Sequence, residues 1–238
     1  MKPAFYALER GGWRDYVTLL HLPYTAWHLA YVVVGGCLVA DVAWGRLGLT
    51  VVAFFLAMGI GAHALDELVG RPLGTLIPSG VLITLAIVSV LGACAIGIAV
   101  ALTFSLWILP FIVVGAFLVP AYNLELFSGR FHTDLWFALA WGAFPLLTGF
   151  IACSGRLTVA ALIAAGWATT LSLAQRRLST PVRRARRELL DVSGELHLTD
   201  GTREALTREA LVAAPEGALR LLTASALLIA GALVAFRL

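Results

Sequence analysis

Hydrophobic and polar residues follow one another along this chain in long blocks, and seven of the apolar blocks suit membrane helices. They are approximately Val17–Ala40, Leu47–Leu65, Ser79–Ala101, Thr103–Tyr122, Leu135–Cys153, Leu157–Ala174 and Ala218–Phe236. Crossing the hydrocarbon core of a bilayer takes about 20 apolar residues in a helix. A backbone in lipid must also satisfy its own hydrogen bonds. The blocks are uninterrupted and lack the period-two alternation of barrel strands. Almost nothing separates the third from the fourth, so a tight hairpin is expected around Leu102 and Thr103. The expected fold is all-α: a polytopic membrane helix bundle of about seven spans, one transmembrane domain over residues 1–238.

Composition agrees with that reading. Of 238 residues, 60% are hydrophobic and only 13% charged, with a mean hydropathy of +0.91. Soluble domains are usually about 45–50% apolar and about 25% charged, so lipid is the expected solvent. Cys37, Cys94 and Cys153 lie in or beside apolar runs without metal-type spacing, as small packing residues do. Residues 1–10 lack the apolar core and cleavage site of a signal peptide, so the first run is expected to remain as a span.

The positions of the basic residues set the expected orientation. With the N-terminus cytoplasmic and the C-terminus outside the cell membrane, the inner segments hold fourteen of the Lys and Arg residues. The outer side receives Arg46, Arg156 and Arg237. The long polar segment 175–216 is expected as a cytoplasmic loop whose basic start, Gln175 to Arg187, meets anionic headgroups. Gly194–Gly201 alternates and ends in Asp-Gly, which suggests a short hairpin. Thr202–Ala214 has the pattern of an amphipathic helix. Aromatic residues are not interleaved with these arginines, so no nucleic-acid partner is expected.

Against this background one stretch stands out. The charge-free run Val51–Ala62 ends in His63-Ala-Leu-Asp-Glu67 and Arg71. Positions i, i+3 and i+4 share a helix face, so His63, Asp66 and Glu67 are expected to point together at the inner end of the second span. Ionisable residues near the apolar zone are costly and usually line a cavity or pair with something. The fourth span delivers Tyr122, Asn123, Glu125, Arg130, His132 and Asp134 to the same side, and the first adds His21 and His28. An inner cavity that holds a ligand or a metal is expected. Its oxygen donors favour magnesium, while the histidine leaves zinc or manganese open.

Three stretches, in order, resemble the UbiA-type intramembrane prenyltransferases: Leu20–Thr25; Ala62–Gly80 with Asp66, Arg71-Pro-Leu73 and Pro78-Ser-Gly80; and Pro120–Asn123 followed by Gly142-Ala-Phe-Pro145. The resemblance covers roughly the first three quarters of the chain. It implies a helical enzyme that binds a polyprenyl diphosphate through Mg2+ and transfers the prenyl group to a small or lipid acceptor at the cytoplasmic side. Carried over, Asp66 is a metal ligand and catalytic residue, Glu67 its neighbour in that role, and Arg71 a diphosphate contact. His63, Asp66, Glu67 and Glu125 are the candidate metal ligands; Tyr122, Asn123, Arg130 and His28 are the candidate substrate contacts.

The sequence also departs from the family pattern. Ala62 and Gly70 stand four residues either side of Asp66, where that family carries asparagine and aspartate. No acid lies between Ala168 and Arg177, near its second acidic motif. Two further readings therefore stand beside prenyl transfer: a lipid-binding or transport protein of this fold, and a metal-dependent membrane enzyme of another reaction type.

Overall fold

The computed structural model describes residues 2–238 and is almost entirely helical. Its helices are α1 Trp13–Leu19, α2 Leu22–Cys37, α3 Trp44–Leu68, α4 Ser79–Thr103, α5 Leu106–Asn123, α6 Asp134–Ser154, α7 Val159–Arg187 and α8 Arg208–Arg237. A two-stranded hairpin, β1 Glu195–His197 and β2 Arg203–Ala205, lies between α7 and α8. Five helices, α3, α4, α5, α6 and α8, are long and apolar enough to cross a membrane. The bent pair α1 and α2 makes a sixth if it is one span.

Several boundaries differ from the sequence expectation. The first apolar run is broken, with a 44° bend between α1 and α2. In a straight helix the Pro23 ring would clash with the Leu19 carbonyl and offer it no N–H. The chain instead turns at His21, whose φ is 46°, and Thr25 Oγ1 donates to the Leu20 carbonyl at 2.6 Å. The basic segment after Ala174 is no solvated linker: α7 continues unbroken to Arg187. No separate amphipathic helix occupies residues 202–214, because β2 takes the first of them and the rest begin α8. The short hairpin does form, slightly later than expected, and Asp200 holds its turn by accepting from the Thr202 N–H and hydroxyl. The joint between α4 and α5 is as tight as the pattern predicts, only Phe104 and Ser105.

The bundle is built around α2. Gly35 of α2 lies against the Leu146 carbonyl of α6, and Gly149 of α6 lies against the Val32 carbonyl of α2. The two backbones touch because neither glycine carries a Cβ. Trp27, Tyr31, Leu146, Ala168 and Leu219 fill the space among α2, α6, α7 and α8. Trp27 Nε1 donates to the Tyr31 hydroxyl at 2.7 Å, so this apolar core leaves the indole satisfied. The side of α4 that carries Ile83, Ile87, Val88 and Leu91 is exposed, as a lipid-facing surface would be.

The two ends of the bundle differ chemically. At one, Arg46 donates to the Ala152 and Cys153 carbonyls and stacks on Phe104, while Arg237 donates to the Cys37 carbonyl. Each arginine caps the end of a neighbouring helix. The other end gathers most of the remaining charge and opens into a cavity.

Candidate functional site

The helix that carries His63-Ala-Leu-Asp-Glu67 is wound wide just before it. Residues Phe55–Ala62 of α3 and Leu139–Ala143 of α6 form π-type turns, which interrupt the regular i→i+4 ladder. Each turn presents a main-chain carbonyl to an imidazole. His63 Nδ1 lies 3.1 Å from the Gly59 oxygen, and His28 Nδ1 lies 2.7 Å from the Trp141 oxygen. His132 repeats the arrangement with the Tyr122 oxygen at 3.0 Å. A carbonyl only accepts, so each Nδ1 carries the proton, and in the neutral ring Nε2 keeps its lone pair. The His21 ring stacks on His63 with centroids 4.1 Å apart.

These side chains line a cavity of about 470 Å3 at the charged end of the bundle. His63, Asp66, Tyr122, Asn123, Glu125 and His28 all reach it, from α2, α3, α5 and the segment after α5. Residues from three spans thus converge on one space, among them the expected pair of the second and fourth.

Three expected site residues do not join them. Glu67 is 1% exposed and turns away: its carboxylate accepts from the Leu73 N–H at 2.9 Å, and from the Thr75 N–H and hydroxyl at 2.8 and 3.0 Å. Adjacent helix residues are about 100° apart, so Asp66 facing the cavity sends Glu67 into the loop after α3. Arg71, with φ 52°, donates to the Ile77 carbonyl and the Ser79 hydroxyl and braces the same loop. Arg130 is exposed and does not line the cavity. Asp15, 3% exposed, holds the loop from the other side by accepting from the Leu76 N–H at 2.8 Å.

The donor set does not assemble the expected metal site. No group of three His, Cys, Asp or Glu side chains among the described residues is placed to hold a metal ion. Glu67 is committed to the loop, and the Glu125 side chain is 56% exposed, 3.9 Å from His132. The residues present do not fit the paired acidic motifs that hold magnesium in the resembling family.

The opposite wall was not legible in the sequence as a site. The polar extension of α7 runs beneath the cavity and contributes Gln175, Arg176, Ser179, Arg183 and Arg187. Gln175, Ser179, Arg183 and Arg187 recur every four residues and so share one face, but the spacing alone does not say whether that face meets a cavity or headgroups. Arg176 donates to Asp134 at 2.9 Å. Burial, with the like charges of Arg176 and Arg187, lowers the pKa of the Arg183 guanidinium, while Tyr122 and Asp66 oppose that shift.

The N-terminal segment closes the remaining side. Phe5 and Tyr6 pack edge-on against Tyr24, and Arg187 Nε donates to the Pro3 carbonyl. Burial raises the pKa of the Tyr6 phenol.

A second, apolar space adjoins this one. It is a narrow groove of about 100 Å3 among α3, α4, α5 and α6, lined by residues such as Phe54, Ala93, Gly97, Ile112 and Phe144. It follows α6 from Trp141 to Ala152, about 16 Å at the helical rise. Met58 and Trp141 line both spaces and mark where they meet. Comparison with known proteins gives no match: no family model, no curated protein and no solved structure corresponds to this chain.

Proposed function

We propose that this chain is a divergent UbiA-like membrane transferase, which moves a prenyl group from an isoprenoid diphosphate to a small or lipid acceptor. It works at the cytoplasmic side of the cell membrane, with seven helices crossing, the N-terminus inside and the C-terminus outside. The observation that supports this reading is the meeting of a polar cavity with an apolar groove at Met58 and Trp141. An amphipathic substrate divides at such a boundary, charged head on one side and hydrocarbon on the other. In the transfer, the allylic C–O bond breaks and the diphosphate departs with the electron pair. The acceptor nucleophile bonds to the allylic carbon and loses a proton. Asp66 is in none of the ion pairs, faces the cavity and takes that proton. The groove keeps water from the allylic cation.

The test is turnover by the purified chain in lipid nanodiscs, supplied with a panel of isoprenyl diphosphates and phenolic or lipid acceptors and read by mass spectrometry. Prenylated product from wild type, and none from Asp66→Asn, is expected. No product with any pair removes the reading. One observation favours a second function, a lipid-binding or carrier protein of the same architecture: α7 presents arginines where the resembling family presents acids. Tight binding of an isoprenyl diphosphate with no turnover would establish it.

A further inference from the structure

We infer that the α7 face Gln175–Arg187 recognises a phosphate or diphosphate head directly, through Arg183 and Arg187, without a bridging divalent cation. This rests on the reading that the cavity takes an amphipathic anion, and it names how that anion is held.

Three observations carry it, together with the chemistry of the guanidinium. Arg183 and Arg187 line the cavity and belong to none of the ion pairs among the described residues. Their neighbours on the same helix are committed: Arg176 to Asp134, and Arg186 to Glu216. Arg183 and Arg187 are both half-buried; Arg183 gives one hydrogen bond to Thr180 Oγ1 and Arg187 one to the Pro3 carbonyl, which leaves most of each fork for an anion.

The acids do not supply that anion in sufficient measure. Glu125 and Glu188 stand at the exposed rim, where water and salt screen them. Further in, one carboxylate, Asp66, faces the two uncommitted guanidiniums of Arg183 and Arg187.

The polar atoms beside the arginines are unfulfilled as well. The Tyr122 hydroxyl and Gln175 Oε1 are buried, and neither has a hydrogen-bond partner within the protein. Both residues are at least nine-tenths buried, 5% and 3% exposed, and both line this cavity. The Tyr122 hydroxyl can donate to an oxyanion held beside the arginine pair, while Gln175 Oε1, an acceptor, takes a proton only from a P–OH group of a monoprotonated phosphate.

Finally, the chemistry suits the groups. The planar fork of arginine engages two phosphate oxygens at once, which a carboxylate–metal bridge would otherwise do. Where the resembling family places acids to recruit a cation, this helix places the cation itself.

The experiment measures farnesyl diphosphate binding to the full chain in phosphatidylcholine nanodiscs, with excess EDTA or with magnesium. Inorganic pyrophosphate and phosphatidic acid are titrated in parallel to separate a free phosphate from a lipid headgroup. Equal affinity with and without EDTA is expected, and Arg183→Gln and Arg187→Gln should each weaken it about 10–100-fold, the range for charge-assisted hydrogen bonds. Arg183→Lys and Arg187→Lys keep the charge and remove the fork. They should fold as wild type by thermal unfolding and still bind more weakly. Binding that disappears with EDTA, or that survives all four substitutions, overturns the inference. The transferase reading fails separately: a wild type that binds without metal but yields no product keeps the arginine site and loses the reaction. One that both binds and turns over only with magnesium does the reverse. Selective binding of phosphatidic acid keeps the site and replaces the isoprenoid donor with a membrane phospholipid.

Discussion

Glu67 holds Thr75 twice, one carboxylate oxygen accepting both its main-chain N–H at 2.8 Å and its hydroxyl at 3.0 Å. The other oxygen takes the Leu73 N–H, so the loop after α3 is folded around one buried acid. Asp66, its neighbour, faces the cavity instead. Two adjacent carboxylates thus have different surroundings, one buried in a loop that it organises and one facing a cavity.

The place of Glu67 in that loop predicts a stability effect. Glu67→Gln replaces one acceptor oxygen with an NH2 group that faces N–H donors. It should lower unfolding stability in detergent by about 1–3 kcal/mol, the cost of leaving buried polar groups unsatisfied. Asp66→Asn should leave the thermal midpoint nearly unchanged. Equal effects of the two substitutions would contradict the division of roles.

The contact of α2 with α6 predicts a severe glycine effect. A Cβ at Gly149 would meet the Val32 carbonyl, and one at Gly35 the Leu146 carbonyl. Backbone cannot swing aside as a side chain can, so Gly149→Ala should separate the helices and destabilise by about 1–3 kcal/mol or more. Gly166→Ala, on α7 with open space around it, should be neutral or slightly stabilising through helix propensity. Thermal unfolding of the two variants side by side reads the contrast.

The ion pair between α7 and α8 predicts non-additivity. Arg186 Nη2 donates to Glu216 Oε2 at 2.8 Å, with the two side chains only 12% and 8% exposed. Glu216→Gln leaves a buried guanidinium without its partner and should cost about 3–5 kcal/mol. Replacing both by methionine should cost much less than the two single changes together. A double-mutant cycle measures the difference.

The groove predicts a separation of head from tail. Ala93 faces it from α4, and Ala93→Phe fills the space a hydrocarbon chain would occupy. Each buried CH2 contributes about 0.8 kcal/mol, so losing even two should weaken a long-chain isoprenyl diphosphate by at least tenfold. Inorganic pyrophosphate should bind as before. Equal weakening of both ligands would show that the groove and the cavity do not share one ligand.

The apolar blocks placed the helices well, because the need to bury about 20 residues of oil in lipid is local and reads directly from sequence. The tight α4–α5 joint and the convergence of Asp66, Tyr122 and Asn123 on one cavity were legible for related reasons: a polar residue at the end of an apolar helix is conspicuous. Arg183 and Arg187 were not. Within a dense run of arginines nothing local distinguishes one that meets a cavity from one that meets headgroups, and only the unbroken course of α7 beneath the bundle makes the choice. His28 was visible as a histidine, but the π-type turn that offers it the Trp141 carbonyl was not.

By itself, then, the sequence determined an all-helical, lipid-compatible chain with its chemistry collected at one end, since hydropathy and charge are properties of consecutive residues. The tertiary structure decided which of those charges meet. Helix phase turned Asp66 toward the cavity and Glu67 into the loop after α3, and two glycines brought α2 and α6 into contact. The continuation of α7 set arginines opposite an aspartate. Those outcomes depend on rotation and packing between distant segments, which no single stretch of the chain encodes.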